Sequence, residues 1–293
     1  MPMLCYVEKR FSASSLALIG QANAIIDEYL QQGFRLTLRQ LYYQFVARDW
    51  IENSQRSYKR LGSVVSDGRN AGLVDWNAIE DRTRNVRTLP HWDCPSEILR
   101  MCAEQFRFDL WERQDYRPEV WIEKDALIGV FESVCQELDV PLFSCRGYTS
   151  LSEVWAAGRR FAGHLRNAQT PVVLHFGDHD PSGMDMTRDI LDRLELYAED
   201  EVQVRRLALN MEQVNEYGPP PNPAKVTDSR YTQYVSLYKN ESWELDALEP
   251  TVLAGLARDA ILRYRDEGQW CKDEKRQDAA RKRLAALADE WGK

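Results

Sequence analysis

Three carboxylates stand at positions where chemistry is readily built. Glu123 follows the apolar run Val120-Trp121-Ile122, and Asp178 and Asp180 follow Val172-Val173-Leu174-His175-Phe176-Gly177. Residues two apart in extended chain point the same way, so Asp178 and Asp180 can converge while His179 turns aside as a solvent-facing loop residue. Glu123, at the end of a neighbouring strand, completes a cluster of three. Carboxylates crowded together repel unless a cation joins them. Oxygen ligands with room for water suit Mg²⁺, with Mn²⁺ as an alternative. Pro181-Ser182-Gly183 then opens a helix whose N-terminus attracts a phosphate, and Lys124 offers one more contact. A metal, a helix end and a lysine together describe a phosphodiester site. The plainer reading is that Asp178 and Asp180 are turn and cap residues, since this segment is rich in turn formers.

Such a cluster needs strands to carry it, and the chain supplies them after Pro118. Short apolar runs at 120–122, 141–145, 172–176 and 202–207 alternate with helical stretches at about 126–137, 150–167 and from Pro181 onward. That alternation predicts βαβ units and a parallel sheet, where ligands gather at the carboxyl ends of the strands. The C-terminal part, from about Pro250, reads as helical. Glu244 and Asp246 lie just before it and read as caps for that helix, with the metal site as the alternative.

Before Pro118 the pattern differs. Leu16, Ile19, Ala22, Ile26 and Leu30 recur at helical spacing, and Gly33 ends that helix. Thr37 and Gln40 make a capping box for a second helix, and Ser54 opens a third over about 55–71, closed by Gly72. Leu73-Val74-Asp75-Trp76 reads as short and extended. Residues 79–87 follow, carrying Arg82, Arg84 and Arg87. Three helices and a strand-like element predict a winged helix-turn-helix, a shape that docks on DNA. Charge agrees: residues 35–87 hold ten Lys/Arg against six Asp/Glu, a balance of +4 in a chain whose net charge is −8. Arg56, Lys59 and Arg60 on the third helix are the expected DNA contacts.

The chain of 293 residues therefore divides into a mostly helical part, 1–117, and an α/β part, 118–293. Hydrophobic residues at 44% and charged residues at 29% exclude a disordered tail and a collagen-like chain. A net charge of −8 argues against coating nucleic acid through bulk charge and leaves a local basic face. Six scattered cysteines without a CxxC pair read as reduced thiols, and no run approaches the ~20 apolar residues of a membrane span. The stretch before Ala24 imitates a signal peptide poorly, so a cytoplasmic protein with no membrane partner is expected.

Glu123 after one strand and Gly177-Asp178-His179-Asp180-Pro181-Ser182-Gly183 after another resemble the Toprim domain of topoisomerases, bacterial primases and certain nucleases. Gly147-Tyr148 is similar to the matching loop of the topoisomerase VI A subunit. That subunit and its meiotic double-strand-break relative also set a winged-helix domain before Toprim, as here. The resemblance implies a tyrosine nucleophile within Arg39-Gln40-Leu41-Tyr42-Tyr43. At about 100° per residue, Leu41, Tyr42 and Phe45 share a core face while Tyr43 falls beside Arg39, whose charge would favour phenolate or bind phosphate. Tyr43 is therefore the expected nucleophile; a tyrosine packed against the next domain is the alternative. The resemblance further implies double-stranded DNA as substrate and a homodimer in which one protomer's tyrosine meets the other's metal site. For strand passage it also implies a separate ATPase subunit, because the chain has no GxxxxGK[ST] loop. Two other readings stand beside it: a Toprim nuclease using metal-activated water, and a non-catalytic DNA-binding component.

Overall fold

Local signals start most of the helices. In the computed structural model, which describes residues 3–80, 89 and 91–291, Ser12 caps α1 (Ala13–Gln31). Thr37 and Gln40 form the expected reciprocal box at α2 (Leu38–Ala47), and Ser54 caps α3 (Gln55–Asn70). Gly33 and Gly72 turn the chain after α1 and α3 with φ of +84° and +72°, a region that costs other residues strain. Ile19, Ala22, Ile26 and Tyr29 line one side of α1 and meet Leu41, Phe45, Leu61 and Val65 of the next two helices in a common core.

Residues 73–76 do not form the expected strand. Val74 is drawn fully into the helical core, and the Leu73 carbonyl accepts a hydrogen bond from Asn23. Among the described residues the β pairing at this corner is limited to isolated bridges, Cys5 with Ala71 and Leu36 with Ile79. Among the described residues, then, the three helices carry no two-stranded wing. Arg82, Arg84 and Arg87 lie outside the described residues.

After α4 (Pro95–Gln105) comes a sheet built as the alternation predicts. Its strands are β1 (Tyr116–Ile122), β2 (Leu142–Ser144), β3 (Thr170–Phe176) and β4 (Gln203–Ala208), all parallel, in the order β2-β1-β3-β4. A 3₁₀ turn leads into α5 (Ile128–Glu137), and α6 (Leu151–Arg166) and α7 (Pro181–Ala198) are the other two crossovers. Side chains alternate along β1. Val120 and Ile122 join the core beneath α5 and α10 (Pro250–Leu262), while Trp121 joins Phe161 of α6 and Ile190 of α7 on the opposite face. The result is a three-layer α/β/α body.

Past β4 lie α8 (Met211–Tyr217), a Pro-rich loop and α9 (Tyr231–Tyr238). The chain then returns across the carboxyl edge of the sheet, where Ser242 bridges Asn222 and Trp243 bridges His179. The last helix, α11 (Glu267–Trp291), packs along α4. None of the described helices is long and apolar enough to cross a membrane.

Candidate active site

Register brings the acids level. Ile122 pairs with Phe176 at the ends of β1 and β3, so Glu123 and Asp178 leave adjacent strands at the same height. The Asp178 N–H donates to Glu123 Oε2 at 2.8 Å, which ties the two turns together. Asp178 Oδ1 accepts the Leu245 N–H at 2.7 Å. Asp180 is the N-cap of α7: its Oδ1 accepts from the Gly183 N–H at 2.6 Å and from the Ser182 hydroxyl at 2.9 Å. Gly183 is required by close approach, since a Cβ there would lie 2.3 Å from the Asp178 carbonyl oxygen. The plain reading of Asp180 as a cap is thus met.

Desolvation dominates the electrostatics. Burial lifts the Asp178 carboxyl to about 7, with Glu123 and Asp246 adding to it against the pull of Lys124. Burial also raises Glu123, and Asp180 pushes in the same direction. Beneath the acids Arg206 of β4 donates to the carbonyls of Gly177, Asp178, Gly183 and Leu209 at 2.6–3.2 Å. It clamps both acid-bearing turns. Nothing in the sequence pattern separates Arg206 from its exposed neighbour Arg205.

His179 is not a solvent-facing residue. It is 1% exposed, its Nδ1 lies 2.7 Å from the Tyr234 hydroxyl, and the rings of Tyr238 and Trp243 pack against it. The return of the chain from α9 covers it, and the local alternation carries no sign of that cover.

Lys124 is held inside rather than offered outward. Its ammonium lies 2.9 Å from Asp178 Oδ1, 2.6 Å from Glu244 Oε2 and 2.9 Å from Asp246 Oδ1. Burial alone would lower its pKa, yet Asp246, Asp178 and Glu244 together raise it above the usual lysine value. A phosphate would have to displace one of these carboxylates to reach it. Glu244 and Asp246 do not cap the helix at Pro250, whose cap position is Glu249. They face Lys124 and Arg39 instead. Burial opposes ionisation of Glu244, but Lys124 and Arg39 hold it at about 2.

Arg39 extends this network to the tyrosines. It pairs with Glu244, and its Nε lies 2.8 Å from Asp246 Oδ2, an ion pair short of hydrogen-bond geometry. Its Nη2 donates to the Tyr43 hydroxyl at 3.4 Å, the contact expected from their spacing. Tyr43 does not stand clear of the core, however: Tyr42 and Tyr43 are both 5% exposed. Tyr42 donates to Asn53 Oδ1 at 2.9 Å, a structural role. Burial raises the Tyr43 phenol, Asp246 and Glu244 raise it further, and the lowering by Arg39 and Lys124 does not compensate. Phenolate is therefore disfavoured at rest.

A cleft of about 360 Å³ opens beside the Tyr43 ring, lined also by Arg39, Ser54, Tyr58, Asn222 and Glu244. Arg56, Lys59 and Arg60 are exposed on α3, which begins at this cleft, and none is ion-paired to a described residue.

Among the described residues no three carboxyl, imidazole or thiol groups form a preformed metal cage. Oxygens that a hard divalent cation could use nevertheless remain on the three acids. Glu123, Asp178 and Asp180 each spend one oxygen on a protein donor, and Glu123 Oε1 and Asp178 Oδ2 accept no hydrogen bond. Asp180 Oδ2 faces only Lys225, at 3.6 Å. Burial is the first cause of the raised Glu123 and Asp178 carboxyls, and a neighbouring acid lifts each further. No protein family, no curated protein and no solved structure matches the chain.

Proposed function

We propose that this protein cleaves DNA at backbone phosphates, with a divalent cation at Glu123, Asp178 and Asp180 and with Tyr43 as the nucleophile. The observation that carries the reading is the unbroken ion-pair path from Arg39, beside Tyr43, through Asp246 and Lys124 to Asp178. Helices α1–α3, with no wing among the described residues, would act as the DNA-docking unit and the sheet as the Toprim unit. When bound, Mg²⁺ or Mn²⁺ would neutralise charge on the phosphate. The protein's own groups do the rest. Arg39 reaches the cleft with a planar donor set suited to a phosphate oxygen. Arg56, Lys59 and Arg60 would hold the duplex backbone along α3. Two copies would cut both strands, and strand passage would call for a separate ATPase subunit.

The burial of Tyr43 and its raised phenol pKa favour a second reading, hydrolysis by water with the tyrosine structural. Supercoiled-plasmid cleavage with Mg²⁺ or Mn²⁺, quenched in detergent and run with and without protease, separates the two. Broken DNA that enters the gel only after protease and is lost in Tyr43→Phe is the expected result. Free ends from both proteins would establish hydrolysis instead. Unchanged cutting by Asp178→Ala would sink both readings.

A further inference from the structure

We propose that Lys225, in the Pro-rich loop before α9, holds a backbone phosphate of the bound DNA beside Asp180. The inference rests on the DNA-cleavage reading above and names the side chain that meets the substrate at the acid edge. The other cations near this edge are engaged within the chain. Lys124 faces three carboxylates at 2.6–2.9 Å. Arg206 turns both Nη atoms to backbone carbonyls. Arg230 is divided between Asp228 and Asp185 at 2.9–3.1 Å. Lys225 differs. Its ammonium lies 3.6 Å from Asp180 Oδ2, beyond ordinary hydrogen-bond reach, and its side chain is 73% exposed. No other described residue pairs with it. Its three N–H donors therefore point to water, and an anion can take them without displacing a hydrogen-bonded protein partner. An exposed ion pair at this separation contributes little, so exchanging Asp180 for a phosphate is easy.

The loop fixes where that ammonium can go. Asn222 exchanges both backbone hydrogen bonds with Ser242 at 2.8 Å, and its side chain accepts from Asn53. Ala224, immediately before the lysine, is buried. On the other side Arg230 grips Asp185 of α7, whose carboxylate also accepts from Tyr148 at 2.7 Å. The chain at residue 225 is thus anchored before and after it, while the flexible four-carbon stem lets the ammonium swing. A phosphate brought to the acids comes within reach of a cation that still has donors to give.

Salt dependence tests the contact apart from turnover. Binding of wild type, Lys225→Gln and Lys225→Arg to a fluorescein-labelled duplex is followed by anisotropy in Ca²⁺ over a range of KCl concentrations, with the duplex checked intact on a gel. The expected result is a slope of log K against log[salt] that is shallower by about 1 in Lys225→Gln and restored in Lys225→Arg. The loss of affinity should be equal on two duplexes of unrelated sequence, because a phosphate contact reads no bases. Plasmid cleavage by Lys225→Gln should fall in step with its affinity. A wild-type slope in Lys225→Gln would overturn the inference and leave Lys225 as a screen for Asp180, with the cleavage reading intact. A slope as shallow in Lys225→Arg as in Lys225→Gln would overturn it too, since an altered loop and not a lost charge would then be the cause. Wild type that neither binds nor cuts DNA would remove the cleavage reading itself, and this inference with it.

Discussion

Asp178 carries its carboxyl where ionisation is unfavourable, and that has a measurable sign. Burial raises the group to about 7, whereas an unfolded aspartate titrates near ~3.9. Between those values the folded chain keeps a proton that the unfolded chain has released. Stability contributed by Asp178 is therefore present at low pH, declines as pH rises from about 4 to about 7, and is absent above that window. Asp178→Asn removes the charge and retains an oxygen for the Leu245 N–H. In chelator the variant should melt above wild type at pH 8 and draw level with it near pH 4. Mn²⁺ should reverse the order at pH 8, because binding to the native carboxylates alone raises the melting temperature of wild type. A wild-type melting temperature indifferent to Mn²⁺ would remove the cation from the site. The placement of Glu123, Asp178 and Asp180 just past β1 and β3 was legible because acids that follow apolar strands declare themselves locally. The inward turn of Lys124, Arg206 and Asp246 was not, since partners such as Arg39 and Asp246 are far apart in the chain and only tertiary packing brings those side chains together.

At the scale of elements, start signals translate well because they are local. Thr37, Ser54, Ser150 and Pro181 begin α2, α3, α6 and α7 where their side chains or ring geometry favour it. Extended segments translate when a parallel partner lies alongside, as for β1 with β3, and fail where none does, as at residues 73–76. Interhelical contact is invisible to such signals, and Gly158 illustrates it. A Cβ there would lie 2.4 Å from the Cβ of Tyr197 and 3.0 Å from its carbonyl carbon, so α6 and α7 meet almost backbone to backbone. Alanine gains ~1 kcal/mol over glycine within a helix, but overpacking costs ~1–3 kcal/mol. Gly158→Ala should therefore lower stability in denaturant unfolding. Gly255 in α10 is the contrast, with nothing within 4 Å of an added Cβ. Gly255→Ala should gain up to ~1 kcal/mol. Equal effects at both positions would mean that helix propensity, not the α6–α7 contact, governs them.

For the whole molecule, the question is whether the helical unit and the α/β body behave as one. Each has its own core, yet the joints are varied. Phe34 packs against both cores, and within one short stretch Leu245 and Leu248 belong to the sheet core while Ala247 belongs to the helical one. Asp246 lies between them with cations on either side: Arg39 from the helical unit and Lys124 from the body. A buried acid held this way is costly to expose alone, so separating the units would strip a charge of its partner as well as uncover apolar surface. Wild type should accordingly unfold in one calorimetric transition, with matching van't Hoff and calorimetric enthalpies. Asp246→Ala removes the shared anion while Lys124 keeps Asp178 and Glu244, and Arg39 keeps Glu244. Both units thus retain their internal contacts, while the tie between them weakens to Glu244, which still bridges Arg39 and Lys124, and to the apolar joints. The transition should then split, with the helical unit melting first because its core is the smaller of the two. The split can be assigned by hydrogen exchange, with α1–α3 losing protection before β1 and β3. Two transitions in wild type would mean that the joints, the Arg39–Asp246–Lys124 path among them, do not couple the units.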